Sequence, residues 1–253
     1  MTFGGHLEVL RRMSFRILSV IIILAIVVFC CKKATWSILL APSEYDFTTY
    51  QMIEWLMSSI GFDFKFDEFH IDLIATDLSS QFMTHITTSV YLALLGASPY
   101  ILYELFRFIS PALYESEKDH SVLVVSMIYL LFILGALMSY FVIFPISFRF
   151  LGTYSVAEKV HSTITLDSYI ETFASLTFVM GIVFQLPLIM FVLAKLGFVS
   201  YSMLAKYRKH ALIIIMFVAA IITPPDLMTL VLVTIPLYLL YEVSVRVTKY
   251  IKG

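Results

Sequence analysis

The chain has 253 residues, 60% of them hydrophobic and 14% charged. A soluble globular domain carries about 45–50% apolar and about 25% charged residues, so an ordinary soluble enzyme, a disordered chain and a nucleic-acid binder are all excluded. The formal net charge of −1 is silent about partners, whereas the distribution of charge along the chain is informative.

Crossing a bilayer as a helix takes about 20 mostly apolar residues. The first such run, Ile17–Cys31, extends back to Ser14. Arginines precede it, as in a signal peptide, but Cys-Cys-Lys-Lys follows where a small-residue cleavage site would stand. It reads as a retained first span over 14–31. Cys30 and Cys31 read as small membrane-buried side chains with no metal or redox spacing. Residues 32–80 form a long polar segment with eight acids, in which Gln51–Ile60 is expected to be helical and Phe64–Leu78 a further short element. The second span covers 81–103, with His85 read as a packed residue near its start and Pro99 near its end. The third covers 121–148, a second outer segment 149–171 follows, and the fourth span is 172–194. Two shorter runs, 211–223 and 227–241, are separated by Thr223-Pro224-Pro225-Asp226, a pair of prolines no helix interior admits.

The expected fold is therefore an all-α polytopic membrane protein of six transmembrane helices, the last two short. Pro99, Gly135, Pro145, Gly181, Pro187 and Pro236 predict kinked helices and a concave shape. With no repeat, low-complexity stretch or linker, residues 1–253 read as one membrane domain. Six spans put both termini on one side. Lys and Arg number three up to Arg16, two in 104–120, four in 195–210 and three in 242–253, against three in 32–80 and two in 149–171. The positive-inside rule then places both termini in the cytoplasm.

No nucleophile elbow, H-E-x-x-H or phosphate loop is present, so neither catalysis nor a metal or other cofactor is expected. What stands out is a charged belt beside the cytoplasmic helix ends: His6–Arg12, Ser110–Lys118 and Tyr207–His210. An acid on this cationic face, such as Glu117, suits a site where a guanidinium docks, because a carboxylate accepts it bidentately. A proton- or ion-coupled secondary transporter is the alternative. It needs titratable groups near the midplane, and Gln185 is the one strongly polar side chain deep in the fourth span.

Several stretches carry a resemblance. His6-Leu7-Glu8-Val9-Leu10-Arg11 resembles an N-terminal H-L-x-E-L-R motif. Leu73–Asp77 with Gln81-Phe82, Ser98–Tyr103, Phe108–Tyr114 with Glu117-Lys118, Phe184-Gln185-Leu186-Pro187, Thr223–Asp226 and Pro236–Glu242 follow in order. Together they resemble the TatC family of the twin-arginine protein translocase, from about His6 to Tyr241. The resemblance implies a non-enzymatic receptor and assembly core in the bacterial inner membrane. It implies as partners precursors bearing twin-arginine signal peptides, small single-span TatA- and TatB-type proteins, further copies in a larger complex, and the lipid bilayer. Export is then driven by the proton-motive force.

Residue by residue, Glu117 matches the family acid that contacts the arginine pair. Pro111, Tyr114, Lys118 and Arg11 would shape or brace that site. Two departures matter. The second family acid falls on Val9, with Glu8 one residue earlier. On a helix these two positions point about 100° apart, so either Glu8 reaches the same arginines or Glu117 works alone or with Glu104 or Glu115. The fourth span has Gln185 where many members carry Glu, read either as a packing hydrogen bond or as a partner contact. Asp226 is read as the cap of the last helix or as a contact with partner helices.

Overall fold

The computed structural model describes residues 3–62, 65–66, 68–69, 71–109, 121–157 and 163–251. Helices dominate because a backbone in lipid must satisfy its own N–H and C=O groups. Contacts group the chain into two units, Met1–Ile38 with Ala75–Leu131, and Leu39–Ile74 with Phe132–Gly253.

The first unit pairs α1 (Phe3–Cys30) with α4 (Ser80–Ile109) and includes the first turns of α2 (Lys32–Leu40) and of α5 (Ser121–Met138). His85 is buried in α4, stacked on the Phe29 ring at 4.2 Å between centroids, with the Trp36 ring at 6.2 Å. Pro99 stands inside α4 and has no N–H for the Leu95 carbonyl one turn back. The Ser98 hydroxyl donates to that carbonyl at 2.7 Å, so the helix continues through the proline.

The second unit begins with the last turn of α2 and a 3₁₀ turn at Ala41–Ser43. It continues with α3 (Thr48–Ser59), a two-residue strand β1 (Leu73–Ile74) and the end of α5. A π-helical turn, Ser139–Ile143, leads into α6 (Phe144–Thr153). Strand β2 (Ile164–Thr165) pairs in parallel with β1, Leu73 opposite Ile164. Then come α7 (Leu166–Val183), α8 (Leu186–Lys195), α9 (Tyr201–Lys206), α10 (Arg208–Ile222) and α11 (Leu227–Ile251). The expected helix at Gln51–Ile60 thus corresponds to α3, which ends one residue earlier at Ser59, while among the described residues of the expected element at 64–78 only Leu73–Ile74 form a strand.

Its core is aromatic. Phe144 meets Tyr169 and Phe173 edge-on at 5.0 and 5.1 Å, geometries that rings favour over face-to-face sandwiches. Pro145 has no N–H for the Phe141 carbonyl, and the Thr49 hydroxyl of α3 donates to it. Tyr50, 1% exposed, donates to the Pro145 carbonyl at 2.8 Å, with the Pro42 carbonyl 3.2 Å away. Burial raises the Tyr50 hydroxyl well above the usual phenol range, an effect only partly offset by the Arg149 cation. That guanidinium lies over the Phe66 and Phe69 rings, 4.1 and 4.7 Å from their centroids. Helices α5 and α7 touch through glycine: a Cβ at Gly135 would stand 2.4 Å from the Met180 carbonyl oxygen, and one at Gly181 would stand 2.6 Å from the Phe132 ring.

Among the described residues five helical stretches are long and apolar enough to cross a membrane: Leu7–Cys30, Ser80–Leu105, Val125–Thr153, Leu166–Lys195 and Leu227–Tyr250. The short α10 has 15 residues, about 22 Å of rise. The last helix differs from the short one expected. It runs 25 residues without a break, because valines at 243, 245 and 247 carry the apolar pattern past Tyr241.

Candidate functional site

On α1, Val9, Arg12, Met13 and Arg16 recur at helical spacing and share one face. On α4, Glu104, Arg107 and Phe108 do the same near the C-terminal end. The two faces enclose a cleft of about 250 Å³. Arg16 donates from Nη2 to Glu104 Oε2 at 3.0 Å, and the Tyr100 hydroxyl donates to Oε1 at 2.9 Å. Glu104 is only 3% exposed, so its charge is compensated by a guanidinium and a hydroxyl rather than by water. Arg107 is exposed and makes no ion pair among the described residues.

Glu8 does not line this cleft. It is 54% exposed and pairs with Arg12 one turn on, an (i, i+4) contact at 2.5 Å. Val9, the next residue, faces the cleft instead. Arg11 is exposed beside it. Glu117, Pro111, Tyr114 and Lys118, together with Glu115, lie outside the described residues.

In the second unit the fourth apolar run is two helices, α7 and α8, broken at Phe184–Gln185. Gln185 N–H bonds three residues back to Ile182, which leaves the Gly181 carbonyl without its usual partner. The Gln185 side-chain amide donates to that carbonyl at 3.3 Å. Asp226 Oδ1 accepts the Thr229 N–H at 2.6 Å and so caps α11. Its Oδ2 is buried without a hydrogen-bond partner among the described residues. Arg208 at the start of α10 grips Glu242 of α11 through two bonds of 2.7 and 3.2 Å. The Glu242 carboxylate raises the Arg208 guanidinium further above its usual range. Among the described residues no three His, Cys, Asp or Glu side chains are placed to hold a metal ion.

The family profile described as "Sec-independent protein translocase protein (TatC)" matches residues 5–236. The chain belongs to the TatC family. A TatC of Blattabacterium sp. subsp. Periplaneta americana is 31% identical over 99% of this chain and 96% of its own length. A TatC of Aquifex aeolicus is 36% identical over 71% of this chain and 75% of its own length. A crystal structure described as the twin-arginine translocase receptor TatC superposes with a TM-score of 0.74 at 31% identity, covering 98% of this chain and all of the other. This TatC chain is thus a multi-pass α-helical membrane protein and a subunit of the twin-arginine translocase.

The Arg16–Glu104 pair escapes a reading of the TatC motifs, since Arg16 reads as the flank of a span and Glu104 as a loop acid. One signal was present. Arginines at 12 and 16 lie four apart on a helix face, and Glu104 follows Tyr100 by the same interval on an otherwise apolar run.

Proposed function

We propose that this TatC chain receives twin-arginine signal peptides at the cytoplasmic face of the inner membrane, with both termini on that side. Glu117 is the principal acid for the arginine pair and Glu8 a secondary one, while Arg11, Pro111, Tyr114 and Lys118 shape the loop around it. Charge-assisted bonds from two guanidiniums to two carboxylates give both affinity and a preference for Arg over Lys. The chain acts as one membrane domain that assembles with TatA- and TatB-type single-span proteins and with further copies of itself. It supplies recognition and assembly rather than covalent chemistry. Gln185, at the break between α7 and α8, and Asp226, with one buried carboxylate oxygen unanswered among the described residues, are the proposed partner-facing polar groups.

The observation that carries this reading is the family match over 5–236, which includes the whole stretch from Ser98 to Lys118. Precursor binding to membranes containing Glu117→Ala tests it. Loss of one charged partner predicts about tenfold or more weaker binding with unchanged membrane levels of the protein. Wild-type precursor binding by that variant would refute the role of Glu117. For the orientation, a cysteine placed at Glu54 in a Cys30- and Cys31-free background should label only from the periplasmic side.

A further inference from the structure

The α1–α4 cleft carries charge that docking of an arginine pair leaves unused. Three guanidiniums, from Arg12, Arg16 and Arg107, line it against one carboxylate, Glu104. Glu104 answers Arg16, and Glu8 answers Arg12 from outside the cleft. Arg107 remains unanswered among the described residues. A wall of this composition repels incoming arginines and attracts an anion. Each guanidinium has five N–H donors, and Glu104 engages Arg16 through one hydrogen bond, so fixing the side chain leaves donors available.

The surroundings define what kind of anion fits. Val9, Met13 and Phe108 make the rest of the wall apolar. Beyond it the same face of α1 continues with exposed apolar side chains: Ile23 and Val27 are 61% and 52% exposed. In a membrane protein such a face meets acyl chains. The cleft volume of about 250 Å³ equals about eight waters at ~30 Å³ each, room for a phosphodiester and its glycerol but not for acyl chains. Basic pockets between transmembrane helices at the membrane surface hold acidic headgroups for these reasons.

We propose that this cleft binds the headgroup of an anionic phospholipid. Its phosphodiester sits on Arg107 and the free donors of Arg16, and its acyl chains lie along the exposed face of α1. Glu104, held by Tyr100, positions Arg16 and limits the site to a single phosphodiester.

Native mass spectrometry of the purified full chain, with phosphatidylglycerol and phosphatidylcholine added in equal amounts, tests this. Wild type should retain phosphatidylglycerol about fivefold or more over phosphatidylcholine, the discrimination expected for one unanswered cation near a lipid phosphate. Arg107→Gln should abolish most of that preference at unchanged melting temperature, Arg107→Lys should keep most of it, and Lys249→Gln should leave it intact. Inorganic phosphate at the same concentration should not displace the lipid. Equal retention of the two lipids by wild type, or an unchanged preference in Arg107→Gln, would overturn the proposal. Displacement by inorganic phosphate would reassign the cleft to a free anion. If Arg107→Gln lost precursor binding but kept the lipid preference, the cleft would belong to the cargo. Failure of Glu117→Ala to affect precursor binding bears on the receptor reading and leaves this proposal standing.

Discussion

The α1–α4 pair and the core around α5, α6 and α7 are both built from apolar helices, yet they are held together differently. Only 6% of the most apolar window of α1 is buried within the chain, against 28% for Ser80–Leu105 of α4, for Val125–Thr153 and for Leu166–Lys195. The core relies on close approach at Gly135 and Gly181, on edge-on aromatic pairs, and on hydroxyls that take carbonyls freed by proline. The α1–α4 pair instead has its specific contacts at its two ends, the Tyr100–Glu104–Arg16 chain at one and the Phe29–His85 stack at the other. Lipid is as apolar as leucine, so apolar area does not by itself hold membrane helices together, and packing and hydrogen bonds decide. A region with few such devices is free to present its surface to lipids and partners.

The largest expected effect of a substitution lies in the core. A methyl at Gly135 meets backbone rather than a flexible side chain. Gly135→Ala should cost about 1–3 kcal/mol by overpacking, where the same change in an exposed helix would gain up to ~1 kcal/mol. Gly135→Leu should leave little monodisperse protein after detergent extraction. A raised melting temperature for Gly135→Ala would show that α5 and α7 do not touch there. The matching change in the other region, Gly96→Ala, meets only the Leu24 side chain at 3.8 Å and should stabilise by up to ~1 kcal/mol.

Next is Tyr50. Tyr50→Phe leaves the buried Pro145 carbonyl without this donor and should cost about 1–3 kcal/mol in thermal or denaturant unfolding. The wild type carries an alkaline signature as well. The phenol titrates higher in the folded protein than in the unfolded chain, so its contribution is complete below about pH 10 and is lost as pH rises beyond that, when the unfolded state ionises first. Tyr50→Phe should lower stability at neutral pH and flatten the decline above pH ~10. An equal alkaline decline in both proteins would place its cause elsewhere.

Smaller effects are expected at the N-terminal end of α1. Glu8→Ala removes an exposed acid and should weaken precursor binding about two- to threefold, less than Glu117→Ala does. Val9→Glu adds a carboxylate to a wall whose three arginines otherwise repel incoming guanidiniums, and should restore at least part of the binding lost in Glu8→Ala. If neither change alters binding in either background, the N-terminal acid has no part in recognition. The smallest effect belongs to Glu242→Gln, which weakens a half-exposed pair with Arg208. Its slight loss of melting temperature should disappear in molar salt.

Five of the six expected spans were legible because apolar length dominates a membrane chain, and the turn at Thr223–Asp226 because two prolines cannot be helical. Prolines at 99 and 145 were legible as kinks, and Ser98 stands beside the first, but the Thr49 hydroxyl that answers the second comes from a distant helix and leaves no local pattern. Likewise Gly135 and Gly181 suggested kinks in sequence and serve close packing in the structure. The extent of α11 was misjudged because charges at 242, 246 and 249 end the apolar run without ending the helix. At the candidate site, the motifs pointed to Glu8 and Arg11, neither of which lines the cleft, and to Glu117, which lies outside the described residues. Which of Glu8 and Val9 faces the cleft depends on the rotation of α1 against α4, and only the packed pair fixes that.

The central claim is that a carboxylate at position 117 meets the arginine pair of a signal peptide. A photoreactive residue placed at Ser116, beside an intact Glu117, in native membranes tests it directly. The account predicts strong crosslinking to a precursor with its two arginines and loss of that crosslink when both are changed to lysine. Equal crosslinking to the two precursors, or none to either while export proceeds normally, would contradict it.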